Sequence, residues 1–339
     1  MKLAIFSRKG SFSDEWINYC IQNNIPFLEL SPYDSDIIDK IADCDAIMWH
    51  HHHSIFKDHV FAKQLLFSIQ QSGKLVFPDF NTGWHFDDKL GQKYLLESIG
   101  APLVPSFAFF DRNAALAWAS STSYPKVFKL RGGAGSSNVK LVRTQKQAFK
   151  LINRCFGKGF KELEYWRTLK YQWRKYRSGL ISMQNMIHFS IGITLQYFNI
   201  VNNREHGYAY FQEFMPDNKY DTRIIVIGDK AFAIKRLCRE NDFRASGSGK
   251  IIFDRNEISE KMVSLSFDIA RRLDTQCIGF DWVVDKNGNP QIVEIGYGFT
   301  SRPYYKCQGY WTSDMKWHEG SGFDFCSWMV ENLITNISK

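Results

Sequence analysis

GFDWVVDKNGNPQIVEIG, Gly279 to Gly296, joins two strand-like runs across a short polar break. Two runs rich in β-branched and aromatic residues flank KNGN, whose Asn287 and Gly288 suit a tight turn, so an antiparallel hairpin is expected. Each run carries one acid among apolar neighbours, Asp281 and Glu294. Carboxylates in or near a core are costly unless paired or metal-bound. Two of them on adjacent strands make a good Mg²⁺ clamp, because Mg²⁺ takes one or two protein carboxylates and completes its octahedron with phosphate oxygens and water. Salt bridges to Arg223 or Arg236 are the alternative.

Working outward, YAYFQEFM, DTRIIVIG and KAFAIKRL read as consecutive strands and SEKMVSLSFDIARRL as a helix. The opening alternates KLAIFS, a helix from Asp14 to Gln22, PFLEL, DAIMW, a helix from Phe61 to Gln71, and KLVFPD, which predicts a small α/β layer with a mostly parallel sheet. DDKLGQKYLLESI, Asp87 to Ile99, is a helix with Asp87 or Asp88 as N-cap and Gly100 as terminator. YPKVFKL and VKLV are strands on either side of RGGAGSS, Arg131 to Ser137. The expected fold class is α/β, α+β in parts, divided into residues 1–82, 83–210 and 211–339.

RGGAGSS lies between two strands and lacks the GK[ST] ending of a P-loop. Its glycines and serines, Gly132, Gly133, Gly135, Ser136 and Ser137, let backbone N–H groups approach phosphate oxygens, though an ordinary hairpin loop has the same composition. Lys129 just upstream would fix an ammonium beside the loop.

A chain of 339 residues with 44% apolar and 16% aromatic residues is globular and large enough for two or three subdomains. The net charge of +8 favours anionic partners without choosing among them. No apolar run approaches the roughly 20 residues of a membrane span, and no signal peptide is visible. Seven scattered cysteines without a CxxC pair read as reduced thiols in the cytoplasm.

From Pro78 to Gly298 these features, in this order, resemble the ATP-grasp superfamily, close to the branch of ribosomal-protein glutamate ligases, glutathione synthetase and D-alanine:D-alanine ligase. The resemblance implies an ATP-grasp fold with an N-terminal α/β domain before two α+β subdomains, and a carboxylate–amine ligase that uses ATP and Mg²⁺ through an acyl phosphate. Lys89 and Lys129 would contact phosphates, Glu213, Phe214 and Met215 after Gln212 would grip the adenine, and Asp221 the ribose. Lys235, Arg236 and Arg244 would handle the transferring phosphate and acyl group, and Asp281 and Glu294 the metal. One position departs from the pattern: Gly296 stands where the family usually has an Asn metal ligand.

The tail GYGFTSRPYYKCQGYWTSDMKWHEG is dense in aromatic and basic residues, which suits either packing or a sugar-acid or glycan carboxylate coupled to an amino acid, as in surface-polysaccharide modification. Arg302 would bind the carboxylate, with Arg223 and Tyr297 as further substrate-side residues. His50 to His53 follow DAIMW, at the end of a strand where open α/β sheets place ligands. Substrate contact by His50 and His52, structural roles and metal binding are all readings of that run, and Trp84 and His85 are similar candidates.

Between Cys155 and Gly179 a helical apolar stripe runs through Phe156, Phe160, Leu163, Trp166, Leu169, Trp173 and Tyr176, flanked by Arg167, Lys170, Arg174 and Arg177. That helix, about 160–178, suits an anionic membrane, a lipid-linked glycan or a subunit contact, the alternative being a core helix with a solvated edge. Rival functions are an ATP-grasp kinase acting on a hydroxyl, and a polyanion-binding protein; no nucleic-acid motif accompanies the basic helix.

Overall fold

The structure is a computed structural model, which describes residues 1–53, 55–132, 138–161, 173, 176–177, 181–199, 204–239, 242–245 and 249–337. The chain forms two compact units, Met1–Val104 with Met215–Lys339, and Pro105–Phe214.

In the first unit β1 (Leu3–Phe6), α1 (Phe12–Gln22), β2 (Phe27–Leu30), α2 (Ile37–Lys40), β3 (Ala46–Trp49), α3 (Phe56–Gln71) and β4 (Leu75–Phe77) alternate along the chain. Their strands make a parallel sheet in the order β2-β1-β3-β4. Both faces of β1 and β3 are covered, which is why LAIF and AIMW are unbroken apolar runs. The third helix begins five residues before its expected start at Phe61. After α4 (Phe80–Gly83), α5 (Lys89–Ser98) is capped by Asp88, whose carboxylate accepts from the Gly91 N–H at 2.9 Å. Gly100, at φ +62°, ends that helix as expected.

The second unit holds β5 (Ser106–Phe109), α6 (Arg112–Ser121), β6 (Lys126–Lys129), β7 (Val139–Val142), α7 (Gln145–Cys155), β8 (Phe160–Lys161), α8 (Met183–Asn199), β9 (Arg204–Glu205) and β10 (Ala209–Glu213). An antiparallel sheet in the order β5-β10-β6-β7 packs Phe128, Leu130 and Phe211 against Ala115 and Ala119 of α6 and Ile152 of α7. The expected basic aromatic helix is corrected at its start. Phe156 caps α7, Gly159 turns at φ +66°, and Phe160 is a buried strand residue paired with Glu205. Trp173, Tyr176 and Arg177 are helical, whereas Leu163, Trp166, Arg167, Leu169, Lys170 and Arg174 lie outside the described residues.

The chain then returns to the first unit with β11 (Tyr220–Ile227), β12 (Lys230–Leu237), β13 (Ile251–Ile252), α9 (Glu260–Arg272), β14 (Cys277–Val284), β15 (Pro290–Gly296), β16 (Gly309–Thr312), β17 (Trp317–Glu319) and α10 (Phe325–Ile337). These strands form an antiparallel sheet, β15-β14-β11-β12-β16-β17, with β13 also on β12. Alternation sorts its side chains onto two faces. On one, Ile224, Val226, Ala231, Ala233, Ile278, Phe280 and Trp282 pack against Met262, Val263 and Ile269 of α9. The buried Trp282 indole also finds a partner there, donating to Ser266 Oγ at 3.0 Å. On the other, Ile225, Ile227, Phe232, Ile234 and Cys277 join Leu3, Ile5, Ala46 and Met48 of the parallel sheet and Phe325, Met329 and Val330 of α10 in one core. Charged residues occupy the remaining end of that second face.

Candidate active site

Strand register builds the charged end of this sheet. Arg223 on β11 lies opposite Asp281 on β14, and Asp221 opposite Arg236 on β12. Asp281 receives both arginines: Arg223 forks onto it at 2.5 and 2.6 Å, and Arg236 Nη2 reaches its Oδ1 at 2.9 Å. Arg236 also forks onto Asp221 at 2.6 and 2.7 Å. The β15 neighbour of Asp281 is Glu294, whose Oε1 lies 3.0 Å from Nζ of the buried Lys89 at the start of α5.

One irregularity makes this meeting of acids possible. Asp281 pairs with Glu294 but Trp282 pairs with Ile292, so Val293 is an extra residue in β15, a β-bulge. Ile292 and Ile295 face the α9 core. Without the bulge, strict alternation would put Val293 opposite Asp281 and turn Glu294 into that core.

The electrostatics follow from burial and pairing. Burial pushes the Asp281 carboxyl up, but Arg223 and Arg236 outweigh it and hold the group well below the usual carboxylate range. Asp221 is raised, because its burial exceeds the pull of Arg236 and the Asp281 charge opposes ionisation. Burial would lower Lys89, yet Glu294 and Asp87 keep its ammonium more basic than usual. Lys89, Arg223 and Arg236 thus balance Glu294, Asp281 and Asp221.

These donors fit a divalent cation in part. Glu294 is paired through one oxygen, while both oxygens of Asp281 already accept from guanidinium groups; a carboxylate has about four lone-pair sites for further coordination. The salt bridges considered for Asp281 are therefore present. At Gly296, which pairs with Gly279, a Cβ would lie 3.5 Å from the Phe86 ring, so an aromatic side chain fills the space beside the missing Asn.

Phe86 also constrains Gly298, where a Cβ would come within 2.8 Å of the ring. Tyr297 at 4.7 Å and His51 at 5.4 Å between ring centres hold Phe86 in place. Gly298→Ala is expected to cost about 1–3 kcal/mol through overpacking. A lowered urea midpoint that Phe86→Leu restores would show this; an unchanged midpoint would mean the ring can move aside.

Other expected residues lie elsewhere. Lys235 is on the opposite face of β12 from Arg236 and binds Glu257 at 2.6 Å, since adjacent strand residues point apart. Arg244 forks onto Asp242, and Arg302 is exposed at the start of a 3₁₀ turn. His50 is buried, stacked on Phe12 at 3.8 Å with Nδ1 accepting from its N–H. His52 is half-buried and donates its backbone N–H to Asp58. His85 is fully buried, Tyr297 is buried with its hydroxyl donating to the His51 carbonyl, and Trp84 stacks on Phe80. These placements are packing environments. Burial, with Lys63 and neighbouring histidines adding to it, lowers His51 to about 3; burial and Lys63 lower His85 to about 4. In His53, burial and Lys89 outweigh the opposing pull of Glu294 and lower the group to about 4.

In the second unit Lys129 Nζ donates to Gln212 at 2.6 Å, and Gln212 and Tyr210 both donate to Ser106 Oγ, forming a polar network on one sheet face. Glu213 belongs to the opposite face, where Lys126 holds it at 2.7 Å. Lys126 was missed in the sequence because its ammonium is carried on a residue only 1% exposed, where a strand pattern predicts an apolar side chain. Gly132 is described; Gly133, Gly135, Ser136 and Ser137 lie outside the described residues. Phe214 and Met215 follow β10 and are half-buried.

The arrangement of sheets, with the acid pair on the antiparallel one, defines the class: this is the ATP-grasp fold. Solved structures support that assignment. The biotin carboxylase domain of 2-oxoglutarate carboxylase from Hydrogenobacter thermophilus, in complex with MgADP, ADP and bicarbonate, matches with a TM-score of 0.61 at 12% identity, over 98% of this chain and 69% of that one. A RimK domain ATP-grasp protein from Sphaerobacter thermophilus matches at 0.53 and 16% identity, over 89% and 94%. D-cycloserine synthetase matches at 0.60 and 12%, over 99% and 100%. More particularly, residues 200–301 match the family model of the RimK-like ATP-grasp domain. No curated protein sequence matches the chain.

Proposed function

We propose that the protein is an ATP-dependent ligase that forms a carbon–nitrogen bond between a carboxylate and an amine. The observation that carries this reading is the charge-balanced cluster of Lys89, Arg223 and Arg236 with Asp221, Asp281 and Glu294 on one face of the sheet. The nucleotide and Mg²⁺ reported for the carboxylase relative suit such a cluster. Mg²⁺, held by Glu294 and Asp281, would neutralise phosphate charge when bound. Phosphoryl transfer depends on positioning and charge stabilisation, and Arg236 supplies fixed positive charge for the transferring group. A substrate carboxylate oxygen attacks the γ-phosphorus of ATP and ADP leaves. The amine nitrogen then attacks the acyl carbon, phosphate leaves, and the nitrogen gives up a proton. Lys129, Phe214 and the glycine-rich segment are assigned to the nucleotide by their resemblance to the family.

The aromatic tail that favoured a sugar-acid substrate is largely packing: Tyr304 and Trp311 are buried, and Tyr310 stacks on His318. The substrates are therefore named by reacting group alone. ADP and phosphate release, screened over carboxylates against amines, is expected to be saturable by one pair and to depend on the amine. ADP release that needs a hydroxyl compound and leaves phosphate on the product would replace the ligase with a kinase, and no nucleotide turnover with any pair would end the reading.

A further inference from the structure

We propose that the crevice at the carboxyl end of the parallel sheet, around Arg8, His52 and His53, binds an anionic group, a carboxylate or a phosphate, through the Arg8 guanidinium. Sheet order places the crevice. In β2-β1-β3-β4 the chain leaves β1 for β2 on one side, then crosses so that β3 and β4 lie on the other. The connections after β1 and β3 therefore part above two neighbouring strands, which is where open α/β sheets take ligands. Arg8 lies in the connection after β1, and His50 to His53 follow β3 directly. Burial comes first in lowering His50, His52 and His53, and the Arg8 charge adds to it in all three.

The Arg8 guanidinium is uncommitted. Arg8 is half-buried, its Nε is shielded from solvent without a hydrogen bond, and among the described residues it has no ion pair. A buried donor left unmade is costly, and such an orphan marks a place for an ion or ligand. The polar groups around it are taken. Asp58 accepts from Tyr33 Oη at 2.5 Å and from the His52 N–H at 2.7 Å. Asp14 accepts from the Gly10 N–H, and Ser11 and Ser13 bond to each other, so the start of α1 is satisfied by its own residues. Ser13 Oγ also fixes the Arg8 backbone, accepting from its N–H at 3.0 Å and donating to its carbonyl at 3.2 Å. A guanidinium on a fixed backbone is a fork suited to two oxygens of one anion. Lys9 is exposed beside it, and Lys57 lies 5.0 Å from the Tyr33 ring, so the surroundings are basic. The crevice adjoins the acid cluster: His53 feels the charges of Lys89 and Glu294 as well as that of Arg8, and a Cβ on Gly298 would lie 3.6 Å from His50 Nε2. A substrate held there carries an acidic group besides the one that reacts, a consequence that rests on the ligase assignment.

Thermal unfolding of the full chain, without nucleotide, is followed in inorganic phosphate, in glutarate and, as control, in chloride at matched ionic strength, for the wild type and for Arg8→Met. An anion that binds the folded state raises the midpoint with its concentration. The wild type is expected to rise beyond the chloride control in phosphate or glutarate. Arg8→Met is expected to need about tenfold or more of the same anion for the same rise. A rise in phosphate alone assigns a phosphate group, in glutarate alone a carboxylate, and in both a fork that accepts either. In chloride the variant is expected to be at least as stable as the wild type, since it removes a shielded donor without a partner. No rise beyond chloride, an equal rise in the variant, or a variant less stable in chloride overturns the proposal. With no nucleotide present, such a failure leaves the ligase assignment untouched, and that assignment can fail on nucleotide turnover while the anion site stands.

Discussion

Glu294→Gln is expected to lower ADP release by about 10²–10³-fold, the scale on which removal of one transition-state electrostatic contact acts. Its amide oxygen can still accept from Lys89, so the fold keeps the Oε1 contact at the start of α5 while losing a metal-binding charge. The thermal midpoint should stay within about 4 °C of the wild type. Asp281→Asn should behave differently. Asp281 is buried and shared by two arginines, and breaking such a pair costs about 3–5 kcal/mol because it leaves charge uncompensated. Measured together, the two variants separate chemistry from scaffold: the first inactive and stable, the second inactive and destabilised. Near-normal ADP release by a well-folded Glu294→Gln protein would remove Glu294 from the metal site.

Acid should loosen the first unit before it protonates Asp281. His51 and His85, 4% and 0% exposed, are lowered from 6.5 to about 3 and about 4, by burial first and then by Lys63. Groups depressed in the folded state take up protons first in the unfolded chain. Their contribution is therefore complete above pH 6.5, shrinks as pH falls, and stops shrinking near the folded values. At about 1.4 kcal/mol per unit per group, each costs roughly 2 kcal/mol between pH 7.5 and 5, so the pair costs about 4 kcal/mol. Burial lowers His50 too, in the same direction. Urea midpoints at pH 7.5, 6 and 5 measure the slope, and His85→Phe should flatten it. A wild-type slope near zero would show that these rings are not held neutral.

Much of the architecture was legible because periodicity and turn chemistry agree. LAIF and AIMW are apolar without a break, as strands covered on both faces must be, and Asn287 and Gly288 sit in the turn joining β14 and β15. The α10 helix escaped notice because FCSWMVENLITNI is apolar around most of its circumference and has little periodic contrast. Phe160 was assigned to a helix because spacing of three or four is also met by chance when Gly159 separates two elements. The acids and arginines of the site were found, but their partnerships were not. Whether Asp281 meets a metal or a guanidinium depends on register with β11 and β12, which one strand's pattern does not contain. The histidine run shows the same limit: residues following a strand can face a ligand or be roofed by Phe12 and Phe86, and the roof comes from distant sequence.

The unpaired Val293 bears on how this gene can change length. Extra residues within KNGN would lengthen an exposed turn and leave both acids where they are. Loss of the Val293 codon would turn the bulge into regular pairing, with Ile292 still opposite Trp282, Glu294 still opposite Asp281 and Ile295 still opposite Phe280. Drift in the count of residues separating the two acids should therefore fall at the turn and at this bulge, the two places where a residue can come or go while both carboxylates keep their side of the sheet.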